Sequence, residues 1–286
     1  MSDPVVDLLE KVEPLPTAPM ILPKLLSALS DPDVDLDEIV LLVAQDPAMA
    51  ATVLRLCNSA YFADSSPTAE LRQAVARVGL YNVYRLVVTA CGQSVLSIAQ
   101  PGWGVEVHDF WKHSVLTGLA AEVLATECGE MGGPMFTAGL LHDFGKLLLA
   151  SAFETDYGRV SSQAAGDPGK LVEMERISFL VDHAQLGGEL LKRWNFPIEV
   201  EAAVRWHHSP EVGDGSNLSA SIITVADTVA HLIQSSQGST CAAEATIPGL
   251  DRACKRVGFS PAEFQSYVER MREMVTVVDA ISQLAA

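Results

Sequence analysis

Apolar residues recur at three- and four-residue spacing along almost all of this 286-residue chain, and no run alternates apolar and polar positions with β-branched enrichment. That periodicity predicts an all-α fold. Leu36, Ile39, Val40 and Val43 share one helical face, and Asp35 with Glu38 reads as a capping box at the start of that helix. Asp46-Pro47 reads as an N-cap and first helical residue, opening a helix that carries Val53, Leu54 and Cys57. Gly79 separates a helix holding Leu71, Ala74, Val75 and Val78 from one holding Val83, Leu86, Val87 and Ala90.

Pro101-Gly102-Trp103-Gly104 stops any helix and marks a boundary, so three parts are expected: helical segments over 1–104, 105–235 and 236–286. Beyond it, helices are predicted over about 109–128, 136–152, 178–194, 198–208 and 217–233, with a last one over 261–284. The polar segments SSQAAGDPGK (161–170) and SPEVGDGSN (209–217) are predicted loops, and a polar stretch from Gln234 to Thr240 leads into the C-terminal part.

With 49% hydrophobic residues the chain buries a core and is not disordered. Its 19 Lys and Arg against 36 Asp and Glu give −17, a charge that repels phosphate backbones and argues against non-specific nucleic-acid binding. No apolar run is long enough to span a bilayer, and the opening MSDPVVDLLEKVEP has acids where a secretory signal has bases, so a cytoplasmic protein without membrane attachment is expected. The five cysteines lack C-x-x-C spacing and read as small core residues. The acidic run Asp31 to Glu38 reads as a solvated turn and helix cap. Neither G-x-S-x-G, a P-loop nor G-x-G-x-x-G occurs, so acyl transfer and nucleotide-dependent phosphoryl transfer have no support.

Six of the seven histidines lie past residue 110, and several sit on apolar faces. His183 is in register with Phe179, Leu180, Leu186, Gly187, Leu190, Leu191 and Trp194; His113 with Leu116 and Ala120. His142-Asp143 is embedded in AGLLHDFGKLLLA, and Asp227 in SIITVADTVAHLI. Taken singly, each histidine reads as a hydrogen-bonded core residue. Two carboxylates among them change the balance, because a buried unpaired carboxylate costs several kcal/mol and demands a cation, an imidazole or a helix N-terminus. Imidazole with carboxylate is the donor set of Zn, Fe, Mn or Co. His207 and His208 are neighbours about 100° apart on an ideal helix, so they either serve two adjacent metals or one of them faces solvent. Lys146 either reaches an anionic group beside a metal or snorkels to the surface. His231, one turn past Asp227, is either its hydrogen-bond partner or part of a polar face.

The order of these residues resembles a known pattern. His113, His142-Asp143 and Asp227 match the one His, the His-Asp pair and the later Asp of the HD superfamily, all-helical metal-dependent phosphohydrolases. LLHDFGKL followed by His183, His207-His208 and Asp227 is similar to the HD-GYP branch, whose extra histidines complete a second metal site. SPEVGDGSN, however, lacks the Gly-Tyr-Pro tripeptide that follows the paired histidines there. In the first half, LPTAPMILPKLLSALSDPDVDLDEIVLLVAQDPAMAATVLRLCNSAYF and LRQAVARVGLYNVYRLVVTA resemble the HDOD family, the HD-related output domain of bacterial signalling proteins.

The resemblance implies an N-terminal HDOD subdomain packed on an HD-like bundle. It implies His113, His142, Asp143, His183, His207, His208 and Asp227 as ligands to one or two divalent ions, Fe, Mn or Zn. The first functional expectation is a regulatory output protein that engages a signalling protein partner and retains a metal centre. The second is a metal-dependent phosphohydrolase or phosphodiesterase acting on a nucleotide or cyclic dinucleotide, with Asp143 and Lys146 in catalytic roles. The third is a His/Asp cluster held by hydrogen bonds alone.

Overall fold

A computed structural model describes residues 4–11, 21–29, 31, 33–58, 68–96, 107–212, 218–236 and 249–275. Among them every regular element is an α-helix, as the periodicity predicts. The first half contains α1 (Pro4–Lys11), α2 (Ile21–Leu29), α3 (Leu36–Ala44), α4 (Pro47–Cys57), α5 (Leu71–Val78) and α6 (Leu80–Leu96). The second contains α7 (Val107–Glu127), α8 (Gly132–Leu141), α9 (Phe144–Ala164), α10 (Pro168–Phe179), α11 (His183–Arg193), α12 (Ile198–Trp206) and α13 (Leu218–Ser236). Two further helices follow, α14 (Leu250–Arg256) and α15 (Pro261–Glu273). No helix among the described residues is long and apolar enough to cross a membrane.

Local chemistry sets these boundaries. Asp46 Oδ1 accepts from Met49 N at 3.2 Å ahead of Pro47, as expected of an N-cap and N1 pair. Asp35 caps α3 by accepting from Asp37 N at 3.0 Å; this single bond replaces the reciprocal box expected with Glu38. Gly79, at φ 84°, ends α5 in a conformation that only glycine adopts without strain.

Three expectations in the second half are corrected. The helix predicted over 136–152 is broken at His142-Asp143, where Asp143 leaves the helical region (φ −96°, ψ 2°) and α9 starts. The ten-residue loop predicted at 161–170 contracts to a turn at 165–167: Ala165 and Gly166 take positive φ, then Asp167 caps α10 by accepting from Lys170 N at 3.0 Å. The helix predicted over 178–194 is two helices. Leu180, at φ 67°, ends α10, and buried Asp182 opens α11 through a capping box with Gln185. Phe179 and Leu180 therefore do not share the stripe of His183, and Leu180 is 76% exposed. The proposed boundary at 101–104, Cys91 and Cys241, and the ends of the predicted 209–217 loop and 261–284 helix lie outside the described residues and side chains. Cys57 is buried, while Cys128 and Cys254 are half-buried free thiols.

Packing centres on α7, α8 and α13. The α7/α8 crossing is close because glycines face each other: a Cβ on Gly139 would lie 2.8 Å from Gly118 Cα. Helix α13 packs on α7, α8 and α12, and α11 packs on α9 and α12. Helix α1 packs on α11 and α9, where Arg193 Nη2 donates to Val6 O at 3.3 Å. From the first half, α6 reaches α8 and α7: Tyr84 hydrogen-bonds Thr137, and Arg85 Nε donates to Glu122 Oε2 at 2.9 Å. Tyr267 of α15 donates to Ala120 O of α7.

Candidate metal centre

Five segments deliver seven sequence-selected residues to one place. His113 comes from the middle of α7 and Asp227 from the middle of α13; His142 and Asp143 form the break between α8 and α9. His183 is the first residue of α11, and His207 with His208 forms the turn after α12. None of the seven side chains' residues is more than 5% exposed. The helix ends at Trp206, and His207 (φ −63°, ψ −21°) and His208 in the turn that follows both enter the cluster, with ring centroids 4.0 Å apart. Neither faces solvent.

The approach of α9 to α11 depends on Gly145. A Cβ there would stand 1.9 Å from His183 O and 2.6 Å from its carbonyl carbon, so only hydrogen fits. This contact sets His183 against the His142-Asp143 break.

Hydrogen bonds fix the tautomers. His142 Nδ1 and His207 Nδ1 lie 2.7 Å from the carbonyls of Gly139 and Val204. A carbonyl only accepts, so both rings carry their proton on Nδ1 and leave Nε2 as a bare lone pair. Gln234 Nε2 donates to Asp109 O at 3.2 Å, which turns Gln234 Oε1 toward His113 Nδ1 at 3.1 Å and imposes the same tautomer there. His183 Nδ1 donates to Glu175 Oε2 at 2.6 Å. Four Nε2 lone pairs therefore point inward at carboxylate oxygens and at each other. His113 Nε2 is 3.0 Å from Asp227 Oδ1, and His142 Nε2 is 3.5 Å from that same oxygen and 3.4 Å from Asp143 Oδ2. His183 Nε2 is 3.3 Å from Asp143 Oδ1 and 2.9 Å from His208 Nε2.

Electron pairs facing electron pairs in a water-excluded site are costly unless a proton or a metal ion lies between them. The buried side-chain atoms without any partner make the same point: of seven among the described residues, four are His142 Nε2, Asp143 Oδ1, His207 Nε2 and His208 Nδ1. Donor atoms fall into three overlapping groups, each within 4.8 Å: His113/His142/Asp227, His142/Asp143/His207 and His183/His207/His208. The residues present fit divalent metal ions, and the His/carboxylate chemistry suits borderline metals.

The electrostatics favour the ligand form of His113, His207, His208, Asp143 and Asp227, and act the other way at His142. Burial, reinforced by His231, lowers the His113 pKa to about 4; burial and the neighbouring His142 and His183 lower that of His207 to about 3. His208 is driven down the same way, by burial and His207. For His142 burial acts downward too, but the Asp143 and Asp227 carboxylates outweigh it and raise the pKa. Burial alone would raise Asp143 and Asp227; His142 and Lys146 around the first, and His231 and His113 around the second, hold both well below the usual range.

Lys146 does not snorkel. Its Nζ donates to Asp143 Oδ2 at 2.6 Å, and its side chain is 13% exposed. His231 Nε2 lies 3.2 Å from Asp227 Oδ1 and is that carboxylate's partner at the more exposed edge. Two buried residues escaped the sequence reading. Glu175 falls where no helix is predicted, and Gln234, the first residue of the predicted polar stretch 234–240, belongs to α13, which continues to Ser236. The available signal for Gln234 was its position seven residues past Asp227, on the same helical face.

The model of the HDOD domain family matches residues 15–210. A curated protein of uncharacterised function from Treponema pallidum is 29% identical over 202 residues; these are 70% of this chain but only 39% of that protein. An HDOD domain protein of unknown function from Geobacter sulfurreducens has the same fold, with a TM-score of 0.75, 23% identity and coverage of 98% and 97% of the two chains. A protein provisionally named a phosphohydrolase from Shewanella amazonensis aligns with a TM-score of 0.72, 22% identity and 98% coverage of both chains. One provisionally named a signal transduction protein from Marinobacter aquaeolei aligns at 0.75 and 20% identity, covering all of this chain and 62% of the other. At these identities the structures establish a shared fold, and the family match over more than half of the sequence establishes that this chain belongs to the HDOD family.

Proposed function

We propose that this chain is an HDOD-type regulatory protein that retains a divalent metal centre in its second half and acts on a signalling protein partner through its N-terminal helices. The observation that carries the metal centre is the inward array of Nε2 lone pairs, each fixed by a hydrogen bond on the opposite ring nitrogen. Formal charge supports the same reading. The carboxylates of Asp143, Asp227 and Glu175 against the ammonium of Lys146 leave −2 when the imidazoles are neutral, which one divalent ion of Fe, Mn or Zn balances. A second ion would call for an anionic ligand such as a phosphate. The burial of every ligand residue favours a sensing or structural metal over an open catalytic site.

A second reading, a phosphohydrolase or phosphodiesterase acting on a nucleotide or cyclic dinucleotide, is favoured by one specific observation. Asp143 holds Lys146 on Oδ2 while Oδ1 has no hydrogen-bond donor. A divalent ion bound there supplies Lewis acidity toward a phosphoryl oxygen and acidifies a water ligand. Asp143 Oδ1 would then orient the attacking water, and Lys146 Nζ would bind a phosphate oxygen.

The deciding experiment is elemental analysis of protein purified without added metal, beside His142→Ala, Asp143→Ala and Asp227→Ala. About one or two equivalents, lost in the variants, is the expected result. Substoichiometric metal that the substitutions leave unchanged refutes the metal centre. A phosphoester screen of the metal-loaded protein separates the two readings, since metal-dependent turnover abolished by Lys146→Ala supports the second.

A further inference from the structure

Four histidines of the centre are oriented from behind, but their partners differ in kind. His142 and His207 donate to backbone carbonyls, and His113 donates to the Gln234 amide. His183 alone donates to a carboxylate, Glu175, at 2.6 Å. Glu175 has no exposed surface, and three donors converge on it: His183 Nδ1, His183 N at 3.0 Å and Tyr157 OH at 3.1 Å. Tyr157 lies on α9, Glu175 on α10 and His183 on α11, so the chain of bonds ties three helices to one ligand ring.

We infer that Glu175, steadied by Tyr157, is a positioning residue that makes His183 the strongest electron donor of the centre and so sets the affinity of the His183/His207/His208 end for metal. A hydrogen bond to a charged acceptor is shorter and about twice as strong as one to a neutral acceptor. Carboxylate behind a ligating imidazole fixes its tautomer and raises its basicity at the opposite nitrogen. Pinning α10 to α11 alone requires no buried charge, since an uncharged pair does so without the desolvation penalty. Tyr157 completes the arrangement by occupying the second carboxylate oxygen, which leaves Oε2 aimed at His183.

This inference rests on the metal-centre reading, and the test separates the two. Co2+ is titrated against a competing chelator into the full chain, with the visible ligand-field bands and the dissociation constant recorded for wild type, Glu175→Gln, His183→Ala and the double variant. Glu175→Gln preserves volume and is expected to weaken Co2+ binding about 10- to 100-fold. In the His183→Ala background the same change is expected to add less than about twofold, because Glu175 acts through the ring. Glu175→Gln within about twofold of wild type, or a loss that adds in full to that of His183→Ala, overturns the inference; a merely structural role gives the additive result. Wild type that binds no Co2+ refutes the metal centre instead. Should Glu175→Gln fail to fold, ring nitrogen spectra of 15N-histidine-labelled wild type decide: the Nδ1–H tautomer at His183 is expected, and Nε2–H overturns the proposal.

Discussion

Replacing Gly145 by alanine is the smallest change that should dismantle the centre without touching a ligand. The new Cβ would sit 1.9 Å from His183 O, 2.6 Å from its carbonyl carbon and 2.8 Å from its Cα. An ordinary carbon–oxygen contact is about 3.3 Å, so the start of α9 and the start of α11 must separate by more than about 1 Å. Both partners are backbone, and neither yields as a flexible side chain does. Overpacking of this kind costs about 1–3 kcal/mol, which lowers the Tm by about 2–5 °C for a chain of this size. The functional loss is larger than the stability loss, because metal–ligand distances tolerate only about 0.2 Å. Gly133→Ala is the control: its Cβ meets only Tyr81 and Tyr84 ring carbons at 3.6 and 3.8 Å, and replacing a helical glycine is neutral or stabilising there. Differential scanning calorimetry and metal analysis of the two variants form the assay. Gly145→Ala with wild-type Tm and full metal content would refute the reasoning that backbone contact sets His183.

Stability should fall as the pH drops below about 6.5. His113 and His207 have folded-state pKa values of about 4 and 3, so between those values and 6.5 the unfolded chain binds protons that the folded chain rejects. His113 alone removes about 3 kcal/mol across that window, partly offset by His142, whose raised pKa favours the folded state at low pH. Urea midpoints that stay flat from pH 7 to pH 4 would contradict this. Gln234→Leu should release the His113 tautomer and weaken metal binding about 10-fold with little change in fold, measured by Co2+ competition; equal affinity would remove Gln234 from the account. Arg85→Ala leaves Glu122, 10% exposed at its side chain, without its cation and should destabilise by about 1–3 kcal/mol in chemical denaturation; Tm within 1 °C of wild type would show the pair to be a surface ornament.

The candidate cluster was legible in the sequence through its two carboxylates, which contradict their surroundings: Asp143 stands among leucines and phenylalanine, Asp227 between Ala226 and Thr228 in SIITVADTVAHLI. Periodicity gave the helical class for the same reason it could not give the breaks. His142-Asp143 continues the apolar pattern of α8 into α9, and only the tertiary contact through Gly145 shows that the helix stops between them. Leu180 is harder still, since a left-handed leucine has no composition signal and the stripe runs unbroken past it into α11. The orienting residues were invisible for a different cause. Glu175 lies eight residues before His183, across a helix break, and nothing in its local pattern sets a buried partner apart from a solvated polar residue; Gln234 lies 121 residues after His113, and its one local signal is the helical face it shares with Asp227.

The placement of α6 bears on how a regulatory half would reach a buried centre. Tyr84 and Arg85 are consecutive, and they engage Thr137 on α8 and Glu122 on α7. Helix α7 carries His113, and α8 ends directly at His142. Thr137 also donates to Gly133 O within α8, so the contact grips the helix itself and not a loop beside it. Helix α1 rests on α11 and α9, the helices that meet at Gly145. Helices α1 and α6 therefore hold the elements that carry the candidate ligands, and close packing leaves those elements little freedom to move independently. On the proposed reading, a partner that shifts α6 changes the separation of His113 and His142 directly, and metal occupancy in turn changes how firmly α6 is held. Binding of partner and metal would then be linked through α7 and α8, with no need for the partner to approach the centre.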